Sequence, residues 1–125
     1  MEQLVAHICM KSFKLDELRY EYLISEEGRV FAPHLNRYLN PYSNGLGYLA
    51  VKLRTKANYG TRQQFYIHRL VALLYVPNPN NFVDVNHKDG NKSNNHYSNL
   101  EWVSKKANSK HAYKLKLLSG FLKYK

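Results

Sequence analysis

One stretch near the C-terminal end of this 125-residue chain constrains its fold more than any other. It begins with a short apolar strand, in which Phe82, Val83 and Val85 lead into an Asn-His pair. A loop rich in Asn, Asp and Gly follows, and this composition favours turns over buried structure. Leu100–Val103 then predicts a second strand, and Ser104 predicts the N-cap of a helix. The order indicates a strand, a loop, a strand and a helix that gather polar side chains at one place.

The balance of charge indicates the kind of partner. The chain has 19 Lys and Arg against 9 Asp and Glu, which gives a net charge of +10 at pH 7. Such an excess favours a polyanionic partner, most commonly a nucleic acid, although a solvated basic surface would have the same composition. The length suits one compact domain, so we expect residues 1–125 to form a single unit.

Cysteine usage and hydropathy exclude several classes. Cys9 is the only cysteine, which rules out an internal disulfide and a cysteine-based zinc site. The first ten residues lack the basic start and long apolar core of a signal peptide. No apolar stretch approaches the length of a membrane span. We therefore expect a reducing, cytoplasmic setting and no membrane partner.

The first part of the chain predicts a small β module. Residues 1–19 predict an irregular strand and then a connector that starts at Lys11. From residue 20 the side chains alternate between two faces, which predicts a strand, a Glu-Glu-Gly turn and a second strand. Residues 36–47 are rich in Asn, Gly and Pro, so we expect a link without a regular element there.

A second strand pair follows. Leu49, Val51 and Leu53 lie on one face of its first strand, and residues 62–67 predict the partner. The opposite face and the tip at residues 56–60 are basic and aromatic, which suits contact with a phosphate backbone. A positively charged edge that prevents aggregation would give the same pattern. The side chains concerned are Tyr48, Lys52, Arg54, Lys56, Tyr59 and Arg62.

A short, largely apolar helix is predicted at residues 68–75, buried against the sheet. Pro77 ends it, because proline cannot continue a helix. His68 stands at its start. We interpret His68 as a structural group, with a contact to the site as the alternative.

These elements together resemble the ββα-metal fold of HNH endonucleases, in particular the small HNH proteins of bacteriophages and introns, including their homing endonucleases. The likeness rests on His87, Asn99 and either Asn108 or His111 in order, with the Leu-Glu-Trp segment directly after Asn99. The segments at residues 22–30 and 68–79 are also similar to the family. The resemblance therefore covers roughly residues 20–112.

The resemblance implies an α+β fold, with a small antiparallel β-sheet module followed by a ββα-metal (HNH) core. Residues 20–67 would form the module and contact DNA, residues 68–112 the helix and core, and residues 113–125 a basic tail. The implied function is a metal-dependent DNA endonuclease, a phage or mobile-element enzyme of the homing type. A phage-encoded enzyme would work in the bacterial cytoplasm. As a monomer it would nick one strand; as a homodimer it could cut both.

The family also implies roles for individual residues. His87 would be the general base, Asn99 would hold the loop, and Asn86 and Asn108 would bind the metal. His111 lies three residues after Asn108, on the same helix face, and is an alternative ligand or phosphate contact. The basic side chains that we expect to contact DNA are Arg29, Lys52, Arg54, Lys56, Arg62, Lys105 and Lys110.

The metal follows from the donors. Amide oxygens suit Mg²⁺, or Mn²⁺, better than zinc, and two neutral ligands need the scissile phosphate to complete the site. Asp89 looks like a turn former that could also join the metal shell, and Asn94 and Asn95 look like loop structure. Asn86 and His87 point to opposite sides of a regular strand, so their cooperation requires the strand to end or distort there.

Two other functions fit the same residues. The first is a DNA-binding regulator or packaging accessory that keeps the fold with a weakened metal site. The second is an RNA-binding or interaction protein, which rests only on the charge and the eleven tyrosines.

Overall fold

Three antiparallel sheets surround one helix in the computed structural model, which describes residues 10–57 and 60–105. The first sheet has four strands in chain order, and the second has three. The strands of the first sheet are β1 (Met10–Phe13), β2 (Tyr22–Ser25), β3 (Val30–Ala32) and β4 (Arg37–Tyr38). Those of the second are β5 (Tyr42–Ser43), β6 (Leu49–Arg54) and β7 (Arg62–Tyr66). The expected α+β class is confirmed.

The predicted alternation of β6 is present. Val51 and Leu53 are buried and Leu49 is half-buried, whereas Lys52 and Arg54 are exposed. β6 pairs with β7 along its length, with Lys52 opposite Gln64 and Arg54 opposite Arg62. The apolar face therefore enters the core and leaves a basic face outside.

Helix α1 (Ile67–Tyr75) packs across the sheets and carries much of the core. Ile67, Leu70 and Val71 are buried, and the Tyr75 hydroxyl donates to the Ile24 carbonyl oxygen at 2.7 Å. The helix begins directly after β7 and ends before Pro77, as predicted. No helix among the described residues has the length and apolarity needed to cross a bilayer.

A two-stranded hairpin closes the described part of the chain. It consists of β8 (Asp84–His87) and β9 (Leu100–Val103), with a 3₁₀ turn (Tyr97–Asn99) before β9. The Trp102 indole N–H lies 3.0 Å from the Val76 carbonyl oxygen and 3.3 Å from that of Ala72, so the hairpin is tied to the end of α1. Lys105 has helical backbone, which agrees with a helix that begins after Ser104.

Three boundaries differ from the sequence-based expectation. The first three residues of the connector predicted from Lys11 belong instead to β1, whose four residues all pair with β2. The link at residues 36–47 contains β4 and β5, which gain partners on β3 and β6. β8 starts at Asp84, so Phe82 and Val83 precede the strand. Such short strands are set by their partners, and local composition is a weak guide to them.

The β module and the hairpin loop are joined directly. The backbone N–H of Tyr97 donates to the Glu26 carbonyl oxygen at 2.9 Å. Gly28 in the same turn has a φ of +97° and no room for a side chain, since a Cβ there would lie 2.6 Å from Ile67 Cγ2. The turn between β2 and β3 therefore seats against both α1 and the loop.

Candidate active site

The two faces of the β8–β9 hairpin separate the predicted site residues. Pairing is regular, with Asn86 opposite Glu101 and His87 opposite Leu100. Asn86 and His87 therefore point to opposite faces, and β8 ends at His87. The requirement that the strand ends at this pair is met. A phosphate that meets both side chains has to lie across the end of the strand.

His87 is held by a buried hydrogen bond. Its Nε2 lies 2.8 Å from Asn95 Oδ1, and both side chains are buried. An amide oxygen only accepts, so Nε2 carries the ring proton and donates it to Asn95. The other ring nitrogen, Nδ1, then has a free lone pair. A neutral imidazole in this tautomer can accept a proton at Nδ1.

Aromatic rings enclose the imidazole of His87. The ring of His68 lies 4.9 Å from it and that of Tyr48 6.1 Å, measured between centroids. Tyr66 packs on His68 at 5.6 Å. His68 is 5% exposed, and its Nδ1 has no hydrogen-bond partner among the described residues. The structure therefore places His68 beside the candidate base, which was the alternative to a purely structural role.

Burial keeps both histidines neutral. The pKa of His68 is lowered to about 3, mainly by desolvation and to a smaller extent by the charges of His87 and Arg69. Burial also lowers the pKa of His87, against the opposing effects of its hydrogen bond to Asn95 and of the Asp89 charge. Desolvation disfavours the imidazolium form in each case. His87 is thus in its basic form at neutral pH.

Asn99 ties the loop between the strands together. Its Oδ1 accepts from the Asp89 backbone N–H at 3.1 Å, and its Nδ2 donates to Asp89 Oδ1 and to the Asn94 carbonyl oxygen, both at 2.9 Å. Its own carbonyl oxygen accepts from the Lys88 N–H at 2.7 Å. These are the contacts that a loop clamp needs, and any part of Asn99 in the reaction stays a prediction.

Both carboxylate oxygens of Asp89 accept hydrogen bonds within the loop. Oδ1 also accepts from the Asn91 N–H at 2.8 Å, and Oδ2 accepts from Asn94 Nδ2 at 3.0 Å. The hydrogen bond from Asn94 is the main cause that lowers the pKa of this carboxyl group. Asp89 therefore acts first as an ionised turn former, as its position in the sequence suggested.

The opposite face of the hairpin offers oxygen donors. Asn86 Nδ2 donates to Glu101 Oε2 at 2.8 Å across the two strands. Amide and carboxylate oxygens are hard ligands of the kind that Mg²⁺ and Mn²⁺ take, so the donor set fits a divalent cation. Within residues 10–57 and 60–105 no cluster of three or more His, Cys, Asp or Glu side chains could hold a metal. Further ligands would have to come from other amides, from water or from substrate.

Several predicted residues lie outside the described part. These are Asn108, His111, Lys110, the tip residue Tyr59 and the tail at residues 113–125. Lys105 is described and exposed.

The basic side chains of the module occupy two places. Arg29 stacks over the Tyr38 ring at 4.1 Å on the first sheet. Lys56 is exposed at the tip that follows β6. Arg54 also lies at the tip, where its Nη1 donates to the Gly60 carbonyl oxygen at 2.8 Å. Lys52 and Arg62 line a shallow cleft of about 440 Å³ on the second sheet. Arg37 lines it too, which the sequence did not indicate.

This basic face leads to the histidines. Alternate residues of β6 share one face, so Arg54 and Lys52 point to the same side as Tyr48 just before the strand. Tyr48 lies 5.9 Å from Tyr66, which in turn packs on His68. From residue 54 to residue 48 the face is about 20 Å long. This side of β6 thus leads from exposed cations to Tyr48, whose ring centroid lies 6.1 Å from that of the candidate base.

Sequence reasoning missed two side chains that define the site. Asn95 looked like loop structure, and no local signal shows that it reaches His87. Glu101 carried a signal only through the register: if His87 is opposite Leu100, then Asn86 is opposite Glu101.

A strand that ends on a neutral histidine, a clamped polar loop and a returning strand with oxygen donors define the hairpin of a ββα-type site. Comparison with known proteins gives the family. Residues 65–110 match the family profile described as HNH endonuclease. The chain belongs to the HNH endonuclease family.

Individual relatives agree. The chain is 47% identical over 93 residues to an uncharacterized HNH endonuclease of Acanthamoeba polyphaga mimivirus, covering 74% of this chain and 27% of that protein. It is 34% identical over 87 residues to the DNA endonuclease I-HmuI of Bacillus phage SP01, covering 70% and 48%. It thus spans about half or less of the length of these two relatives.

A solved structure supports the fold. The structure titled "DNA binding and cleavage by the HNH homing endonuclease I-HmuI" superposes with a TM-score of 0.65 at 30% identity. The match covers 90% of this chain and 62% of that one. The expected β module and HNH core are therefore parts of one shared fold.

Proposed function

We propose that the chain is a metal-dependent DNA endonuclease of the homing type, carried by a phage or mobile element, with His87 as its general base. One observation carries this: a buried, neutral imidazole whose Nε2–H is held by Asn95, which leaves Nδ1 to accept a proton. The relative I-HmuI is named a DNA endonuclease, and its solved structure is described as one of DNA binding and cleavage. Both support DNA as the substrate.

The hydrolytic step uses His87 as follows. Nδ1 takes a proton from a water molecule, whose oxygen attacks the phosphorus of a phosphodiester. One ester P–O bond breaks, and the leaving oxygen takes a proton from solvent, which gives a phosphate monoester and a hydroxyl group. The proton held on the imidazolium ring then returns to solvent. The hydrogen bond to Asn95 keeps the ring in the tautomer that can start this cycle.

A bound Mg²⁺ or Mn²⁺ would relieve the charge that develops on the phosphate and the leaving oxygen. Asn86 is the described residue that we assign to this ion, with Asn108 as its partner and His111 as the alternative. Asn99 keeps the loop in shape between the base and the second strand.

DNA would lie along the basic face of the second sheet. Lys52 and Arg62 are exposed there, and the face leads through Tyr48 to the histidine pair. Lysine and arginine side chains on such a face neutralise phosphates and set the register of the duplex without reading bases. Lys92 lies at the end of this face, with its Nζ 4.7 Å from the Tyr48 ring centroid.

The test is cleavage of supercoiled plasmid with Mg²⁺, Mn²⁺ or EDTA, by the wild-type chain and by His87→Ala. We expect metal-dependent conversion to open-circle or linear DNA, which also shows whether one strand or both are cut. His87→Ala should abolish conversion and keep DNA affinity in a gel-shift assay. His34→Ala is the matched control, because His34 is exposed in the turn between β3 and β4 and stacks on Tyr20.

Absence of cleavage with either metal, despite tight DNA binding, would refute the enzyme and leave a DNA-binding protein on the same fold. Cleavage that survives His87→Ala would refute the assignment of the base.

A further inference from the structure

The polar face of the hairpin holds a carboxylate at the point where the metal ligand is expected. Asn86 and Glu101 are cross-strand neighbours, and Asn86 Nδ2 donates to Glu101 Oε2 at 2.8 Å. Asn86 is 7% exposed. The hydrogen bond uses the Nδ2 end of the amide and leaves Oδ1 outside it.

Two oxygens of this pair take no part in that hydrogen bond. Within the described part of the chain, no hydrogen bond uses Asn86 Oδ1 or Glu101 Oε1. Both are hard donors, and they belong to side chains already locked together. We propose that Glu101 is the anionic member of the metal site, which holds Asn86 in place and shares a divalent cation with it.

Charge is the reason why the site needs Glu101. Two amides bring no negative charge to a divalent ion, and affinity at oxygen sites rises with the charge of the ligands. The nearby Asp89 carboxylate already accepts three hydrogen bonds in its loop. Among the described residues of the hairpin and its loop, Glu101 is the carboxylate that directly contacts the assigned ligand.

A different explanation is that the pair only stabilises the hairpin. Cross-strand polar pairs stabilise a hairpin modestly by themselves, and such a pair needs no cation. Glu101→Gln separates the two explanations, because glutamine keeps an oxygen that can accept from Asn86 Nδ2 but loses the charge. This inference rests on the proposed function for the identity of the site, and its test measures binding without cleavage.

The experiment is a Mn²⁺ titration of the whole chain without DNA, followed by electron paramagnetic resonance of the free ion. We expect saturable binding that Glu101→Gln weakens by about 10- to 100-fold, the range seen when residues around a metal site are changed. Glu21→Gln is the control, since Glu21 is an exposed carboxylate just before β2. Urea unfolding of each variant measures whether the hairpin is intact.

A second substitution tests the charge itself. Asn86→Asp placed in the Glu101→Gln background returns one negative charge to the same cross-strand pair, and we expect it to restore most of the lost Mn²⁺ affinity. A merely structural pair would show no such rescue.

The outcomes are separable from those of the cleavage assay. Equal Mn²⁺ affinity in wild type and Glu101→Gln, or no saturable binding by wild type, overturns the role of Glu101 even if the enzyme cleaves DNA. If Glu101→Gln loses Mn²⁺ binding and Asn86→Asp restores it, but the chain never cleaves DNA, the role of Glu101 in the metal site is supported. The proposed endonuclease activity is then overturned.

Discussion

The eight residues of strands β8 and β9 point alternately to two faces of the hairpin, and these two faces differ in chemistry. One face carries Val85, His87, Leu100 and Trp102 and packs against α1. The other carries the hydrogen-bonded amide and carboxylate of Asn86 and Glu101. The first face is dry enough to keep an imidazole neutral, and the second offers oxygen ligands for a cation.

The two proposed roles of β8, to carry a general base and to bind a cation, place opposite demands on the surroundings. A general base needs a low-dielectric surrounding that holds it uncharged, whereas a cation site needs negative charge. These demands conflict within one pocket. The period-two alternation of a β-strand separates them by one residue and by the thickness of the sheet.

The largest expected effect separates the faces by their response to metal. His87→Ala should lower the cleavage rate by about 10²- to 10⁴-fold at every Mg²⁺ concentration, because no cation replaces a proton acceptor. Asn86→Ala should lose activity at low Mg²⁺ and regain most of it at high Mg²⁺. Cleavage rates over a Mg²⁺ titration measure both. Recovery of His87→Ala at high Mg²⁺ would break the division.

Asn95 tests how far the dry face depends on the tautomer. Asn95→Ala removes the acceptor of the Nε2 proton and should lower cleavage by about 100-fold, the scale expected for a misplaced catalytic group. Asn95→Asp keeps an acceptor and should retain more activity. Nitrogen-15 NMR of the imidazoles should show the Nε2–H form of His87 in wild type and a mixture in Asn95→Ala. An unchanged tautomer in Asn95→Ala would contradict this role.

The dry face should also make stability depend on pH. The folded-state pKa of His68 is about 3, against about 6.5 in the unfolded chain. Below pH 6.5 the unfolded state binds a proton that the folded state does not, so stability is complete above pH 6.5 and is lost as the pH falls toward 3. Between pH 6.5 and 5 the loss is about 2 kcal/mol.

Urea unfolding at pH 7, 6 and 5 measures this loss, and His68→Gln should flatten the dependence. His87 acts in the same direction, because its pKa is lowered too. An equally steep loss in His68→Gln would show that other groups cause it.

The smallest effect lies outside both faces. Lys52→Ala and Arg62→Ala should each reduce the slope of log affinity against log salt by about 0.9, as expected for one lost phosphate contact. The rate at saturating DNA should not change. Lys14→Ala is the control, since Lys14 is exposed after β1. A change in the cleavage rate at saturating DNA would show that these residues act in the reaction itself. The site would then not be confined to the two faces of the hairpin.

Sequence reasoning located His87, Asn86 and Asn99 at one hairpin because strand, loop and strand follow one another closely in the chain. The alternation of β6 was equally legible, since Val51 and Leu53 recur with a period of two. Both features are local, and local patterns survive in any fold that uses them.

The remaining features depend on partners distant in the chain or on register. β1, β4 and β5 are two to four residues long and exist because β2, β3 and β6 accept them. The hydrogen bond from His87 to Asn95 depends on the path of the loop, and the position of His68 depends on how α1 packs. Composition does not encode such geometry.

The hydrogen bond between Tyr97 and Glu26 bears on how this fold could be moved from one protein to another. The family profile begins at residue 65, yet the loop that holds the base is tied to a turn nearly forty residues upstream of that point. A gene fragment that begins at residue 65 would lose Glu26. It would also expose the surface of Ile67 against which Gly28 packs. The smallest fragment that keeps these contacts therefore includes the β2–β3 turn. Recombination should preserve this turn together with the segment that begins at residue 65.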